Sequence, residues 1–457
     1  MRTTRGRSGA SRPGDSIVTR PELVLSGRTW IGGKIQPVDI GIGPEGRIVR
    51  VARAIEGGPR HDVGDDLILP AATDLHVHFR DPGGSPDLES FESGSVGAAL
   101  GGIGLFGEMP NTIPPVTDLE RLEAKEARAR GRLAVDGLLY AAATTPAQVR
   151  ALARRAGGFK IYLSPTTGIE TPTGTPALRE LLTEIARTGL PVAVHAEDPA
   201  RFRPSPDHPP ATTAEWAAAR PTEAERSAVE EVLAAAPSGL RLHIAHVTSP
   251  AVAERIAALG HSFEATPHHL LLAAGGTNDA RFKVNPPLRS EPERAGLFRW
   301  FCEGRVPVLA SDHAPHSRDD KARPFALAPS GMPGVETLLP LLLERVRAGD
   351  LSIPVLLAAA MDRPARWLGV PMGRVAVGHR ANLLVVDFRE RRPVAASTLH
   401  APCGWTAYEN WEAIFPKEHY RDGAAIVRGG EYVGDRGGRI VRPEFAPAER
   451  SDPVRGP

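Results

Sequence analysis

Cysteine is almost missing from this chain. Only Cys302 and Cys403 occur, far apart and in no metal-binding spacing. That excludes a disulfide framework and a thiolate zinc site, and it points to a reducing, cytoplasmic compartment. No apolar run approaches the length of a membrane span, so no membrane partner is expected. Charge of one sign is not in excess either: a net charge of +1 gives no general reason to expect nucleic acid as a partner. The most telling scarcity is lysine. Of 55 basic residues only six are lysine, and the rest are arginine. Where an ordinary surface charge would serve, this chain uses arginine, so each lysine raises the question of what arginine could not do there.

The first twenty residues hold five arginines and one acid, Asp15, among Gly, Ser and Pro. They lack an apolar core segment, so residues 1–21 read as a disordered Arg-rich tail and not as a signal peptide. From about Ile68 the chain settles into a beat of short apolar runs and amphipathic stretches. The runs are "LILPAATDLHVHF", "GLFGEM", "VDGLLYAAAT", "GFKIYLS", "PVAVHAED", "LRLHIAHV", "SFEATPHH" and "VPVLASDHA". Between them, "TPAQVRALARRAGG", "TPALRELLTEIARTG" and "SPAVAERIAALG" start with Thr-Pro or Ser-Pro, end in Gly and space their apolar residues three to four apart, as helices do. Eight strands alternating with helices predict an α/β fold, a (β/α)8 barrel of the TIM type, over residues 68–369. Residues 22–67 and 370–437 read instead as short strands joined by Gly turns. Neither half is large enough to stand alone, so the two are expected to pair into a small β-sandwich, the second half also covering the barrel. Residues 438–457 are Pro- and Arg-rich and read as a loose tail.

"DLHVHFRDPG" sets His76, His78 and Arg80 at alternate positions. In a strand these share one face. In such a barrel, chemistry sits at the C-terminal ends of the strands. Those ends carry His76 and His78, then Lys160, His195, His246 and Asp312. Imidazoles, a carboxylate and one lysine at one mouth predict a divalent metal site, Zn²⁺ by its nitrogen-rich donors. Of the two histidines in "HIAH", His246 lies nearer the strand end and is taken as the ligand, with His243 assigned to packing. A protonated lysine beside metals would be repelled. An unprotonated one can react with CO₂ to form a carbamate, an anionic oxygen ligand able to bridge two metals, which arginine cannot do.

These motifs, with "EMPNTIPPVTD", "GFKIYLSPTTG", "HIAHVTS", "EATPHHLLL", "KVNPPLR", "SDHAPH" and "APSGMPGVET", resemble those of the dihydroorotases of the amidohydrolase superfamily. The resemblance spans the whole barrel and, more loosely, the flanks. It implies that His76, His78, His195, His246 and Asp312 are metal ligands and that carbamylated Lys160 bridges two Zn²⁺. Related enzymes place aspartate at the position of Lys160, which leaves the metal count at one or two. It further implies that Arg80, Asn111 and His316 grip the α-carboxylate of the substrate, that Asn285 lines the pocket, that Thr166 and Thr167 are lid contacts, and that Asp312 carries the catalytic proton. The implied reaction is the reversible cyclisation of N-carbamoyl-L-aspartate to L-dihydroorotate and water, in pyrimidine synthesis. Two alternatives stand beside it: another cyclic amidohydrolase (hydantoinase, dihydropyrimidinase or allantoinase), and a non-catalytic barrel partner of aspartate transcarbamoylase. A homo-oligomer and an association with aspartate transcarbamoylase stay open under the main reading.

Overall fold

The computed structural model describes residues 20–83, 88–166, 168–169, 174–203 and 207–444. Eight parallel strands occupy the eight apolar runs. They are β1 (Ala72–Val77), β2 (Ile103–Glu108), β3 (Asp136–Ala142), β4 (Gly158–Tyr162), β5 (Val192–His195), β6 (Leu242–Ile244), β7 (Ser262–Ala265) and β8 (Val308–Leu309). They hydrogen-bond in chain order, and the chain just past β8 closes the ring: His313 bridges Val77, and its carbonyl accepts from His78 N at 2.7 Å. Every residue of β1 to β6 is buried, because helices cover the outside of the ring and side chains fill its inside.

The helices follow their local signals. Thr145 caps Pro146–Leu152 by accepting from Gln148 N, with proline in the first turn. The helix Thr175–Thr188 buries the stripe Leu178, Leu181, Leu182 and Ile185 and stops at Gly189, whose φ of 72° requires the left-handed backbone that glycine tolerates. No helix among the described residues is long and apolar enough to cross a membrane.

The flanks join as one hydrogen-bonded eight-stranded sheet. Strands Leu23–Ile31, Lys34–Ile42, Ile48–Ala52 and Arg60–Pro70 come from the N-terminal side, and Leu383–Val386, Glu418–Arg421, Ala424–Arg428 and Glu431–Tyr432 from the C-terminal side. The seam is Leu67–Pro70 against Leu383–Val386, antiparallel. Thus the first apolar run is shared: its start closes the small sheet, and only from Ala72 does it enter the barrel. Leu25, Ile40, Ile48, Leu383 and Tyr420 form the core of this sheet. The stretch between its C-terminal strands packs Val394, Cys403, Trp405 and Tyr408 on Leu272, Val284 and Leu288 of the barrel loops. Both cysteines are free, Cys403 buried and Cys302 partly so.

The start of the C-terminal tail differs from the expectation of looseness. Residues 438–444 lie along the N-terminal end of the barrel: Gly438 N donates to Leu133 O, Ile440 bridges Gly137, and Glu444 N donates to Gly369 O. The unpaired edge of the chain at Gly137 supplies backbone partners that composition does not reveal. Residues 445–457, and 1–19 of the N-terminal tail, lie outside the described residues.

Candidate active site

The C-terminal ends of the strands open into a cavity of about 280 Å³, lined by His76, His78, Arg80, Asn111, Tyr162, Thr166, His195, His246, Asn285, Asp312, His316 and Ser330 among others. All of the ring and carboxylate groups singled out from the sequence therefore face one space. Lys160 lies beneath it, fully buried.

The hydrogen bonds around each imidazole decide which nitrogen keeps a lone pair. His76 Nδ1 donates to Glu264 Oε1 at 2.6 Å, and His78 Nδ1 donates to Asn111 Oδ1 at 2.7 Å. The Asn111 amide is oriented by its other end, where Nδ2 donates to Thr166 Oγ1 at 3.3 Å. Both histidines then turn Nε2 lone pairs toward Asp312 Oδ1, at 3.3 and 3.2 Å. These three donor atoms fall within 4.8 Å of one another. Three lone pairs facing each other in a buried space repel unless a cation lies among them, and a carboxylate or carbonyl behind each ring is the usual outer support of a metal-binding histidine.

A second pair sits beside the first. His195 Nε2 donates to Glu197 Oε2 at 2.9 Å, which leaves Nδ1 facing His246 Nε2 at 2.9 Å. The His76 and His246 rings are 5.4 Å apart, so the two donor groups adjoin. Lys160 Nζ and His246 Nδ1 are both buried without a hydrogen-bond partner. Burial lowers the Lys160 amine to about 8, with Glu264 and Asp312 acting in the opposite sense. Burial, with the nearby lysine charge next, holds His76 at about 4, and burial holds His78 and His246 well below their ordinary range. Burial thus favours the neutral form of these three rings, which is the form that binds metal. A buried amine with no partner, five ring and carboxylate donors in two adjoining sets, and an acid behind the rings fit a divalent metal centre.

The backbone is strained at three of these positions. Arg80, His246 and Asp312 have φ of 58°, 39° and 45°, a region that residues other than glycine seldom occupy. For Arg80 this corrects the strand argument. Alternation places His76 and His78 on one face, but the strand ends at Val77, and Arg80 reaches the cavity through a left-handed turn. Arg80 has no carboxylate partner among the described residues, and its Nε is buried and unpaired. Its Nη2 is 3.3 Å from His316 Nε2. That nitrogen carries its proton toward Ser330 O at 2.9 Å, so it cannot also accept from the guanidinium. Trp405 Nε1 donates to His316 O at 2.7 Å and fixes the residue from the covering segment. Asn285 Oδ1 accepts from Trp216 Nε1 at 3.2 Å. Thr166 lines the cavity, whereas Thr167 lies outside the described residues.

Several contributing residues were not anticipated. Glu264, on β7, accepts from His76, from His243 Nε2 at 2.9 Å and from His246 N at 3.2 Å. Burial would raise its carboxyl, but His76 and His243 outweigh that and hold it far below the usual range. His243 is therefore more than packing: it secures the acid that supports His76. Glu197 is held at about 2, where His195 and Arg220 outweigh the effect of burial. The signal was present in "SFEATPHH" and "VHAED", where an acid interrupts an otherwise apolar buried strand or directly follows it.

The model of the amidohydrolase family matches residues 67–418. The chain belongs to the amidohydrolase family. Among relatives, it is 36% identical over 409 residues to a dihydroorotase of Halobacterium salinarum, covering 87% of this chain and 94% of that one. It is 32% identical over 424 residues to a dihydroorotase of Thermoplasma acidophilum, covering 92% and 98%. Among solved structures, it resembles an L-hydantoinase (dihydropyrimidinase) from Arthrobacter aurescens with a TM-score of 0.83, at 27% identity and covering 92% and 99%. A dihydropyrimidinase from Brevibacillus agri shares the fold with a TM-score of 0.82 at 22% identity, covering 93% and 99%.

Proposed function

We propose that this chain is a metal-dependent dihydroorotase, catalysing the reversible cyclisation of N-carbamoyl-L-aspartate to L-dihydroorotate and water. The observation that carries this reading beyond the family is Arg80, a guanidinium without a carboxylate partner among the described residues, in the same small cavity as the metal-binding donors. A neutral cyclic amide gives such a cation nothing to pair with, whereas dihydroorotate carries a carboxylate. The dihydroorotase relatives, similar over most of their length, support the same substrate.

In this reading His76, His78 and Asp312 would hold one Zn²⁺ and His195 and His246 a second, with Lys160, as its carbamate, a further oxygen donor. When bound, the metal supplies a Lewis acid that polarises the ring carbonyl and lowers the pKa of water toward ~7. The protein residues do the rest. Arg80, with Asn111 and His316 beside it and Asn285 in the wall, binds the α-carboxylate and fixes the ring against the donors. Asp312 takes the proton of the attacking water and delivers it to the departing amide nitrogen, and in cyclisation it runs the same transfers backwards.

The test is a panel of dihydroorotate, hydantoin and allantoin, assayed side by side on purified wild type and Arg80→Met, with metal content measured. The expected result is turnover of dihydroorotate by the wild type, and a loss of about 2–5 kcal/mol in kcat/KM for Arg80→Met at unchanged metal content. Preference of the wild type for hydantoin or allantoin would instead favour the hydantoinase-like reading to which the similar solved structures point.

A further inference from the structure

Four of the six lysines in this arginine-rich chain are buried: Lys125, Lys160, Lys283 and Lys321 are 1%, 0%, 3% and 5% exposed. Lys125 pairs with Glu108, and Lys160 belongs to the metal centre. Lys283 and Lys321 have no such account. Lys283 Nζ donates to three backbone carbonyls, those of Phe325 (2.8 Å), Ala326 (3.1 Å) and Ala328 (2.8 Å). Lys321 Nζ donates to the carbonyls of Pro329 (2.8 Å) and Lys283 (3.3 Å). The Lys283 carbonyl also accepts from Gly331 N at 2.9 Å.

All but the Lys321–Lys283 bond end on one segment. Residues 324–331 form neither helix nor strand; Pro324 O accepts from Leu327 N and Ala328 N within the segment, but the carbonyls of Phe325, Ala326, Ala328 and Pro329 take donors from the two lysines. The same segment supplies Pro329, Ser330 and Gly331 to the cavity wall, and the Ser330 carbonyl receives His316. There is no slack at its end: a Cβ on Gly331, at φ 132°, would stand 2.5 Å from Ala314 O and 3.1 Å from His316 Nε2. On its other side the Lys283 ammonium lies 4.4 Å from the centre of the Trp216 ring, and Trp216 donates to Asn285. Carbonyls converging on one point call for three hydrogens radiating from one atom. An ammonium has that shape, and the flat fork of a guanidinium does not.

We infer that Lys283 and Lys321 are positioning residues for substrate binding, two ammonium clamps that hold segment 324–331, and with it His316 and Asn285, in the shape that receives the carboxylate end of the substrate. The inference rests on the dihydroorotase reading above. It is tested by steady-state kinetics, thermal melting and metal content of Lys283→Met, Lys283→Arg and Lys321→Met in the full-length, metal-loaded enzyme. The expected result is KM for dihydroorotate raised about tenfold or more in all three, with kcat and metal content within about threefold of wild type. Lower melting temperatures with unchanged KM would make the lysines merely structural and overturn the inference. Wild-type KM in Lys283→Arg would overturn the argument from shape. If Lys283→Met does not fold, Lys321→Met decides, and an unchanged KM there overturns it. Failure of the functional reading shows separately, as wild type inactive on dihydroorotate. The KM-against-kcat split is then read with whichever ring of the panel the wild type opens.

Discussion

At the N-terminal end of the barrel strands, Arg380 donates from Nε and Nη2 to both oxygens of Asp422 and from Nη1 to Asp136, whose other oxygen accepts from Arg439 N at 2.9 Å. Small sheet, barrel and C-terminal segment meet there, and every charged atom of Arg380, Asp136 and Asp422 has a partner. At the C-terminal end, Lys160 Nζ, His246 Nδ1 and Arg80 Nε are buried without one, and Asp312 faces two lone pairs. Both clusters bury charge, but only the one at the cavity leaves it unanswered. Unsatisfied buried polar groups cost about 1–3 kcal/mol each, so an amine, an imidazole and a guanidinium left unpaired side by side mark a place where the fold gives up stability for chemistry. The saturated end is where it holds its parts together.

Four changes test that contrast, beginning with the greatest expected effect. Asp312→Asn keeps the shape but cannot carry a proton, so hydrolysis and cyclisation should both fall by about 10³-fold or more, while the melting temperature stays near wild type. Initial rates in the two directions on metal-replete protein check this, and substantial activity in either would move the proton transfer elsewhere. Arg380→Met should do the reverse. Leaving the buried Asp136 without its ion-pair partner should cost about 3–5 kcal/mol in denaturant unfolding, with kcat/KM per folded molecule unchanged.

Lys160 offers a test through pH. Burial lowers its folded value to about 8 from 10.5. In metal-free, uncarbamylated protein the buried ammonium is therefore a liability below about pH 8, one that fades as pH rises toward 10.5, where the unfolded chain also loses the proton. Metal-free Lys160→Met should be more stable than metal-free wild type near neutral pH by about 3 kcal/mol, with the gap closing on the alkaline side. In the metal-loaded state the order should reverse, because the variant loses at least one metal and most of its activity. Melting curves across pH, with and without metal, read both limbs. Glu264→Gln should have the smallest effect: it retains bulk behind His76 but weakens the bonds to His76 and His243, and metal affinity should drop about 10–100-fold in a chelator competition. An unchanged affinity would show that Glu264 serves the barrel interior alone.

How much of this was legible beforehand varies residue by residue. His76 and His78 follow from strand alternation, because strand geometry is local and holds through Val77. Arg80 was placed on the same face by the same rule, and the rule had already ended, because the backbone turns left-handed there. His243 was set aside as packing by counting faces along one strand. Its partner Glu264 sits on the next strand, and a count along one strand cannot see across to another. The clamp of Lys283 and Lys321 was visible only as a question, why lysine in a chain that prefers arginine, since its acceptors are backbone carbonyls, which leave no trace in side-chain pattern.

The sequence by itself determined what is periodic or chemical in kind: eight apolar runs alternating with capped helices, flanks too small to fold alone, and nitrogen and carboxylate donors at strand ends. These depend on repeat lengths and residue types, which are local properties. The tertiary structure alone decided which nitrogen of each histidine keeps its lone pair, that Lys160 is left without a partner, that residues 438–444 dock instead of trailing, and that two ammonium groups hold one wall of the cavity. Each of these depends on hydrogen bonds between groups brought together from separate parts of the chain, and their partners are set by the closing of the barrel and not by the residues that flank them.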